Sequence, residues 1–122
     1  MKVARLYAPG DPADVRVETI STPQPGPGEV LVEVKAAAVC ATDLRIITGA
    51  KKRGVILPAV LGHEIGGTVV EVGRDVAGVV QVGDTVAVYP LLGDQTCPAC
   101  LRGRENQCVH RSGVWLSVSG RL

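Results

Sequence analysis

From Thr22 to Gly28 the chain reads Thr-Pro-Gln-Pro-Gly-Pro-Gly, and the residues that follow, Glu29 to Val39, place Val30, Val32 and Val34 on one face. So dense a run of proline and glycine cannot occupy a helix interior or a central strand, because proline removes a backbone donor and fixes φ. The alternation beyond it has the two-residue period of a strand. A chain punctuated in this way folds into short strands joined by tight turns. The same pattern recurs elsewhere. Lys2 to Tyr7 and Val15-Arg16-Val17-Glu18 alternate apolar and polar residues around the breaker Pro9-Gly10-Asp11-Pro12. His63 to Val72 and Asp84 to Tyr89 read as further strands, with Val82-Gly83-Asp84 as the turn feeding the second. Thr42 to Thr48 reads as a short helix that Thr42 or Asp43 can cap and Gly49 can end. The expectation is a mainly β fold with one or two short helices.

Composition supports one domain over residues 1–122. Hydrophobic residues make up 46% of the chain, enough for a single core, but there is no Phe and aromatics are only 2%, so Val, Ile, Leu and Ala must fill it. The 15 Gly and 8 Pro fit many tight turns. A net charge of +1 argues against a nucleic-acid footprint, and Lys51-Lys52-Arg53 is explained by a solvated loop. Lys2 and Arg5 are followed by no apolar h-region of a secretory signal, and no stretch approaches the ~20 apolar residues of a membrane span. A soluble cytoplasmic protein with no nucleic-acid or membrane partner is expected. Its four Cys are then better candidates for metal ligands than for disulfides.

Two groups of residues carry metal chemistry. Cys40-Ala41-Thr42-Asp43 and Gly62-His63-Glu64 place a thiol, an imidazole and a carboxylate at the heads of two segments. By spacing alone they are weak, since a thiol and a lone His in apolar surroundings are more often core residues. Cys97-x2-Cys100-x7-Cys108 is more specific. A redox pair is the competing reading, but such a pair belongs to a thioredoxin-like βαβ setting that this sequence lacks.

Gly62-His63-Glu64, Gly67, Gly73 and Val76 follow Cys40-x-Thr42-Asp43, with Pro25-Gly26-Pro27-Gly28-Glu29-Val30 before them and Val82-Gly83-Asp84 after. In that order, from about Met1 to Gly113, they resemble the N-terminal GroES-like catalytic domain of the zinc-dependent medium-chain alcohol and polyol dehydrogenases. The resemblance implies a GroES-like distorted β-barrel with a metal-binding loop lobe at about 93–110. It implies a catalytic Zn²⁺ held by Cys40 and His63, with Glu64 either a ligand or standing just behind. Thr42 would take the alcohol's hydrogen bond and start a proton relay. Some relatives continue that relay through a His at the position of Arg45, which cannot serve because guanidinium stays protonated. Asp43 would accept from the His63 ring, or act only as a helix N-terminal carboxylate. The family's structural-zinc pattern, C-x2-C-x2-C-x7-C, sets Asp94 beside Cys97, Cys100 and Cys108 as the four structural ligands. His110 is the competing fourth ligand, and Arg102, Arg104 and Arg111 could offset the charge of the site.

Family members carry NAD(P) on a Rossmann domain placed after this one, and also a further catalytic ligand beyond position 122. No Gly-x-Gly-x-x-Gly unit occurs here. No Rossmann domain is therefore expected in this chain, nor NAD(P) binding or turnover by the chain alone. The tail 111–122 departs from the family pattern. The expected function is the zinc-binding catalytic domain of an NAD(P)-dependent dehydrogenase acting on a small alcohol, polyol or carbonyl substrate, within a homo-oligomer. Asp43-Leu44-Arg45 looks more like the polyol-type relatives. The alternatives are a GroES-like binding or assembly module with structural zinc only, and a zinc-free quinone-reductase relative. The last has no need of Cys40, His63 and the Cys-rich lobe together.

Overall fold

The computed structural model describes residues 1–76 and 78–113. They fold as eight strands and one α-helix: β1 (Lys2–Leu6), β2 (Val15–Thr19), β3 (Val30–Ala38), α1 (Ala41–Ile47), β4 (Ala59–Val60), β5 (Glu64–Val72), β6 (Thr85–Val88), β7 (Leu91–Leu92) and β8 (Ser112–Gly113). Three antiparallel sheets result, with orders β2-β1-β4, β3-β5-β6 and β7-β8. The expected strands are present, each within a residue or so of its expected ends. The two-residue strands β4, β7 and β8 were not anticipated. No helix among the described residues is long and apolar enough to cross a membrane. The expectation for the tail lies outside the described residues from 114 on.

Breakers set the turns. Pro12 opens a 3-10 turn between β1 and β2, and Asp11 caps it by accepting from the Ala13 N–H at 2.8 Å. The Pro–Gly segment before β3 folds back on the end of β5, where the Gly73 N–H donates to the Glu29 carbonyl at 2.9 Å. Between β5 and β6, Gly83 takes a positive φ of 98° and its N–H reaches the Val69 carbonyl at 2.8 Å.

The β3–β5 pair forms the backbone of the larger sheet, and its register slips between Leu31 and Val32 and again between Val34 and Ala36. Each irregularity adds local twist, so the pair curves rather than lying flat. The curvature brings Gly67, at the centre of β5, hard against β3. A Cβ there would collide with the Glu33 carbonyl oxygen and sit 2.7 Å from Val32 Cγ1.

Burial concentrates at Leu6, Ile46 and Val69, with Val3 and Ala59 beside them. The core thus draws on residues of β1, α1, β4 and β5. It is small and, apart from two thiols, aliphatic. The valine face of β3 is less covered than its period suggests: Val30 and Val32 are half-buried, but Val34 is 53% exposed. Periodicity says which residues share a face, and only the packing says whether that face is covered. Beside it, β1, Thr22 to Pro25, β3 and Val60 to Gly62 line an open apolar cleft of about 920 Å³.

Candidate metal centres

Helix α1 begins immediately after Cys40, and this start corrects the expected cap. Cys40, not Thr42 or Asp43, is the N-cap, and Asp43 is the third helical residue. From there its Oδ2 accepts the Cys40 N–H at 2.9 Å, the reach-back arm of a capping box. Its Oδ1 accepts the Gly62 N–H at 3.2 Å and lies 3.4 Å from His63 Nδ1. One buried carboxylate, 4% exposed, therefore ties the start of α1 to the turn that carries His63. Gly62 makes the turn possible with a φ of 100°. Gly49, also at positive φ, ends the helix as expected.

These constraints bring Cys40, His63 and Glu64 together, with a ligand atom from each lying within 4.8 Å of the others. Cys40 is half-buried, His63 is buried and Glu64 is exposed, so the group opens to solvent on the Glu64 side. Thr42 sits half-buried in the first turn of α1. Sulfur, imidazole nitrogen and carboxylate oxygen around one open side are a donor set that suits zinc with a vacant position. Arg45 is exposed in the last turn of α1.

Losing the Asp43 carboxylate should be costly. Asp43→Ala leaves the Cys40 and Gly62 N–H groups without their acceptor, at about 1–3 kcal/mol for each donor left unsatisfied. A drop of at least about 2 kcal/mol in unfolding free energy is expected from urea titration. A change under about 0.5 kcal/mol would show that the carboxylate does not bear on the fold.

The second group is Asp94, Cys97, Cys100 and Cys108, again with ligand atoms all within 4.8 Å. His110 lies outside it and instead places Nδ1 2.8 Å from Asp94 Oδ2. The loop is shaped by bonds to its own donors. Asp94 Oδ1 accepts the Thr96 and Cys97 N–H groups at 3.0 and 2.9 Å. The Asp94 N–H points at Cys108 Sγ at 3.4 Å, and the Cys100 N–H at Cys97 Sγ at 3.5 Å. Two 3-10 turns, Cys100–Arg102 and Glu105–Gln107, carry the chain between the ligands. Gly93 belongs to this group as well. A Cβ there would lie 2.6 Å from Cys100 Sγ, so only glycine lets that sulfur into the group. Nothing in sequence spacing signals so close an approach.

All four cysteines are free thiols. The Cys97 N–H foremost, then His110 and the Thr96 N–H, hold the Asp94 carboxyl well below the usual carboxylate range. The Cys100 N–H holds the Cys97 thiol below its ordinary value. Burial, reinforced by Cys97, pushes the Cys100 thiol up to about 12. Without a cation that thiol stays protonated at neutral pH, whereas a coordinated thiol loses its proton outright. Arg102 and Arg104 are exposed and make no ion pair among the described residues, and Arg111 donates to the Asn106 carbonyl at 3.3 Å.

A family model described as the alcohol dehydrogenase GroES-like domain matches residues 26–121. This chain belongs to that family. D-arabinose 1-dehydrogenase (NADP(+)) of Saccharolobus solfataricus is 45% identical over 96 residues, covering 78% of this chain and 27% of the relative. An NAD-dependent alcohol dehydrogenase of Sulfolobus acidocaldarius is 38% identical over 98% of this chain and 36% of its own length. Among solved structures, the cobalt- and zinc-bound thermostable alcohol dehydrogenase from Pyrobaculum aerophilum superposes with a TM-score of 0.86 at 35% identity. That match covers 98% of this chain and 36% of the other. The chain thus spans about a third of the length of the relatives it matches.

Proposed function

We propose that this chain, as a single domain over residues 1–122, is the zinc-binding catalytic domain of an NAD(P)-dependent alcohol or polyol dehydrogenase. The observation that carries the reading is the convergence of Cys40, His63 and Glu64 on one open-sided point, braced by the buried Asp43. In this reading Cys40, His63 and Glu64 hold a catalytic zinc, and Asp94, Cys97, Cys100 and Cys108 hold a structural one. Bound zinc supplies Lewis acidity toward an alcohol or carbonyl oxygen. The chain's own residues do the rest. Asp43 faces His63 Nδ1, so ligation falls to Nε2 and the ring orientation is fixed. Thr42 would accept the substrate hydroxyl's hydrogen bond, with water or a cofactor hydroxyl as the proton's outlet, since Arg45 cannot relay it. The substrate is a small alcohol, polyol or carbonyl compound, in line with the names of the relatives. A cytoplasmic location fits four free thiols, and self-association fits the exposure of Val34 on β3 and of Val39 just beyond it.

Metal analysis tests the reading. Two zinc equivalents per chain are expected for the unaltered protein and one for Cys40→Ser or His63→Ala. A single equivalent that neither substitution removes would point to an assembly module with structural zinc only. No zinc at all would point to the zinc-free relative.

A further inference from the structure

His110 would be read from sequence as a rival ligand of the lobe, yet the structure gives it a different place. Its ring nitrogen Nδ1 lies 2.8 Å from Asp94 Oδ2, while Asp94 Oδ1 is taken by the two backbone donors of Thr96 and Cys97. Asp94 is the one carboxylate in the group, and its short side chain can present an oxygen to the sulfurs in more than one rotation about χ2. Two N–H groups pin one oxygen and the imidazole pins the other, so a single rotation remains. We propose that His110 is a positioning residue. It donates Nδ1–H to Asp94 Oδ2 and holds that carboxylate turned toward Cys97, Cys100 and Cys108, so that the lobe retains its metal. This rests on the reading of the lobe as a metal site and adds to it a residue that is not itself a ligand.

Partners that orient ligating groups are worth roughly 10–100-fold in metal affinity. The His110 side chain is 73% exposed, so water competes for its hydrogen bond and the low end of that range applies, about tenfold. The hydrogen bond is the whole of the effect. An Asn at 110 can place its amide N–H close to where Nδ1–H stands, and should restore retention. A Cys at 94 needs no such orientation and should make His110 irrelevant.

The experiment uses the full chain in a Cys40→Ser background, so that the remaining native thiols are those of the lobe. Cobalt(II) is the probe: its sulfur-to-cobalt absorption band reports thiolate ligation, and its decay in excess chelator reports release. His110→Ala should release cobalt about tenfold faster, His110→Asn should return to the parent rate, and Asp94→Cys should release at one rate with or without His110→Ala. Unchanged release from His110→Ala, with the band intact in the parent, would overturn the positioning role. So would an equal acceleration by His110→Ala in the Asp94→Cys background, since His110 would then be acting on the lobe at large. A parent protein with no thiolate band would remove the metal-site reading itself, and the positioning role with it.

Discussion

Gly67→Ala is expected to lower the unfolding free energy by about 3 kcal/mol, the upper end of the usual range for overpacking. Gly66→Ala, its neighbour on the same strand, should change it by less than about 1 kcal/mol. The contrast comes from what a methyl group would meet. At Gly67 it collides with the Glu33 carbonyl oxygen, which the β3–β5 ladder holds in place, and comes within 2.7 Å of Val32 Cγ1. Val32 can turn away, but the carbonyl cannot without breaking the pairing that joins the two longest strands. At Gly66 the nearest atom is the Val86 carbonyl oxygen at 3.9 Å, an ordinary contact. A domain with a total stability of about 5–15 kcal/mol loses a large share of it in the first case. Urea midpoints of the two variants decide the matter. Equal midpoints would mean that the close approach of β3 to β5 is not a feature of the folded protein.

The same pair of glycines shows where sequence reading stops. Strands β3, β5 and β6 are legible because alternation and the breakers on either side are local properties of the chain. Strands β4, β7 and β8 are two residues long and exist only through pairing with distant partners, Ala59–Val60 with β1 and Leu91–Leu92 with Ser112–Gly113. No local pattern announces them. The helix was legible, but its cap was not. The carboxylate of Asp43 suggested a capping residue, whereas the chain uses it one turn further in, where it can also reach the turn at Gly62. The two groups of candidate ligands that the structure gathers stand out in the sequence, the Cys-rich one by its spacing and the Cys40, His63 and Glu64 one through the Gly-His-Glu resemblance. The residues that let the ligands converge, Gly62 by its φ and Gly93 by its missing Cβ, do not, because each acts on a neighbour distant in sequence.

The lobe is where loss of one side chain should have the widest structural consequence. Between 93 and 110 the buried residues are Cys100 and Cys108, while Leu101 and Val109 stand exposed. Ordering a segment of this length costs on the order of 20 kcal/mol in backbone entropy, and two buried thiols offset only a few of them. The hydrogen bonds within the loop help, at about 1 kcal/mol each. The shortfall that remains lies within what structural zinc can supply, about 10–16 kcal/mol in small zinc-binding peptides at neutral pH. Cys108→Ser should therefore remove one zinc equivalent and open the lobe to proteases at least tenfold faster, while the sheets built on β1 and β5 stay folded. Cys97→Ser and Cys100→Ser should behave alike. Asp94→Ala should be milder, because water can take the vacated position. Zinc content per chain and the rate and site of limited proteolysis give the answer together. If Asp94→Ala changes neither while His110→Ala abolishes both, the fourth ligand is His110 and the oxygen assignment is wrong. A lobe that resists proteases after complete removal of metal would mean that its order comes from the chain alone, and the entropy argument would fail with it.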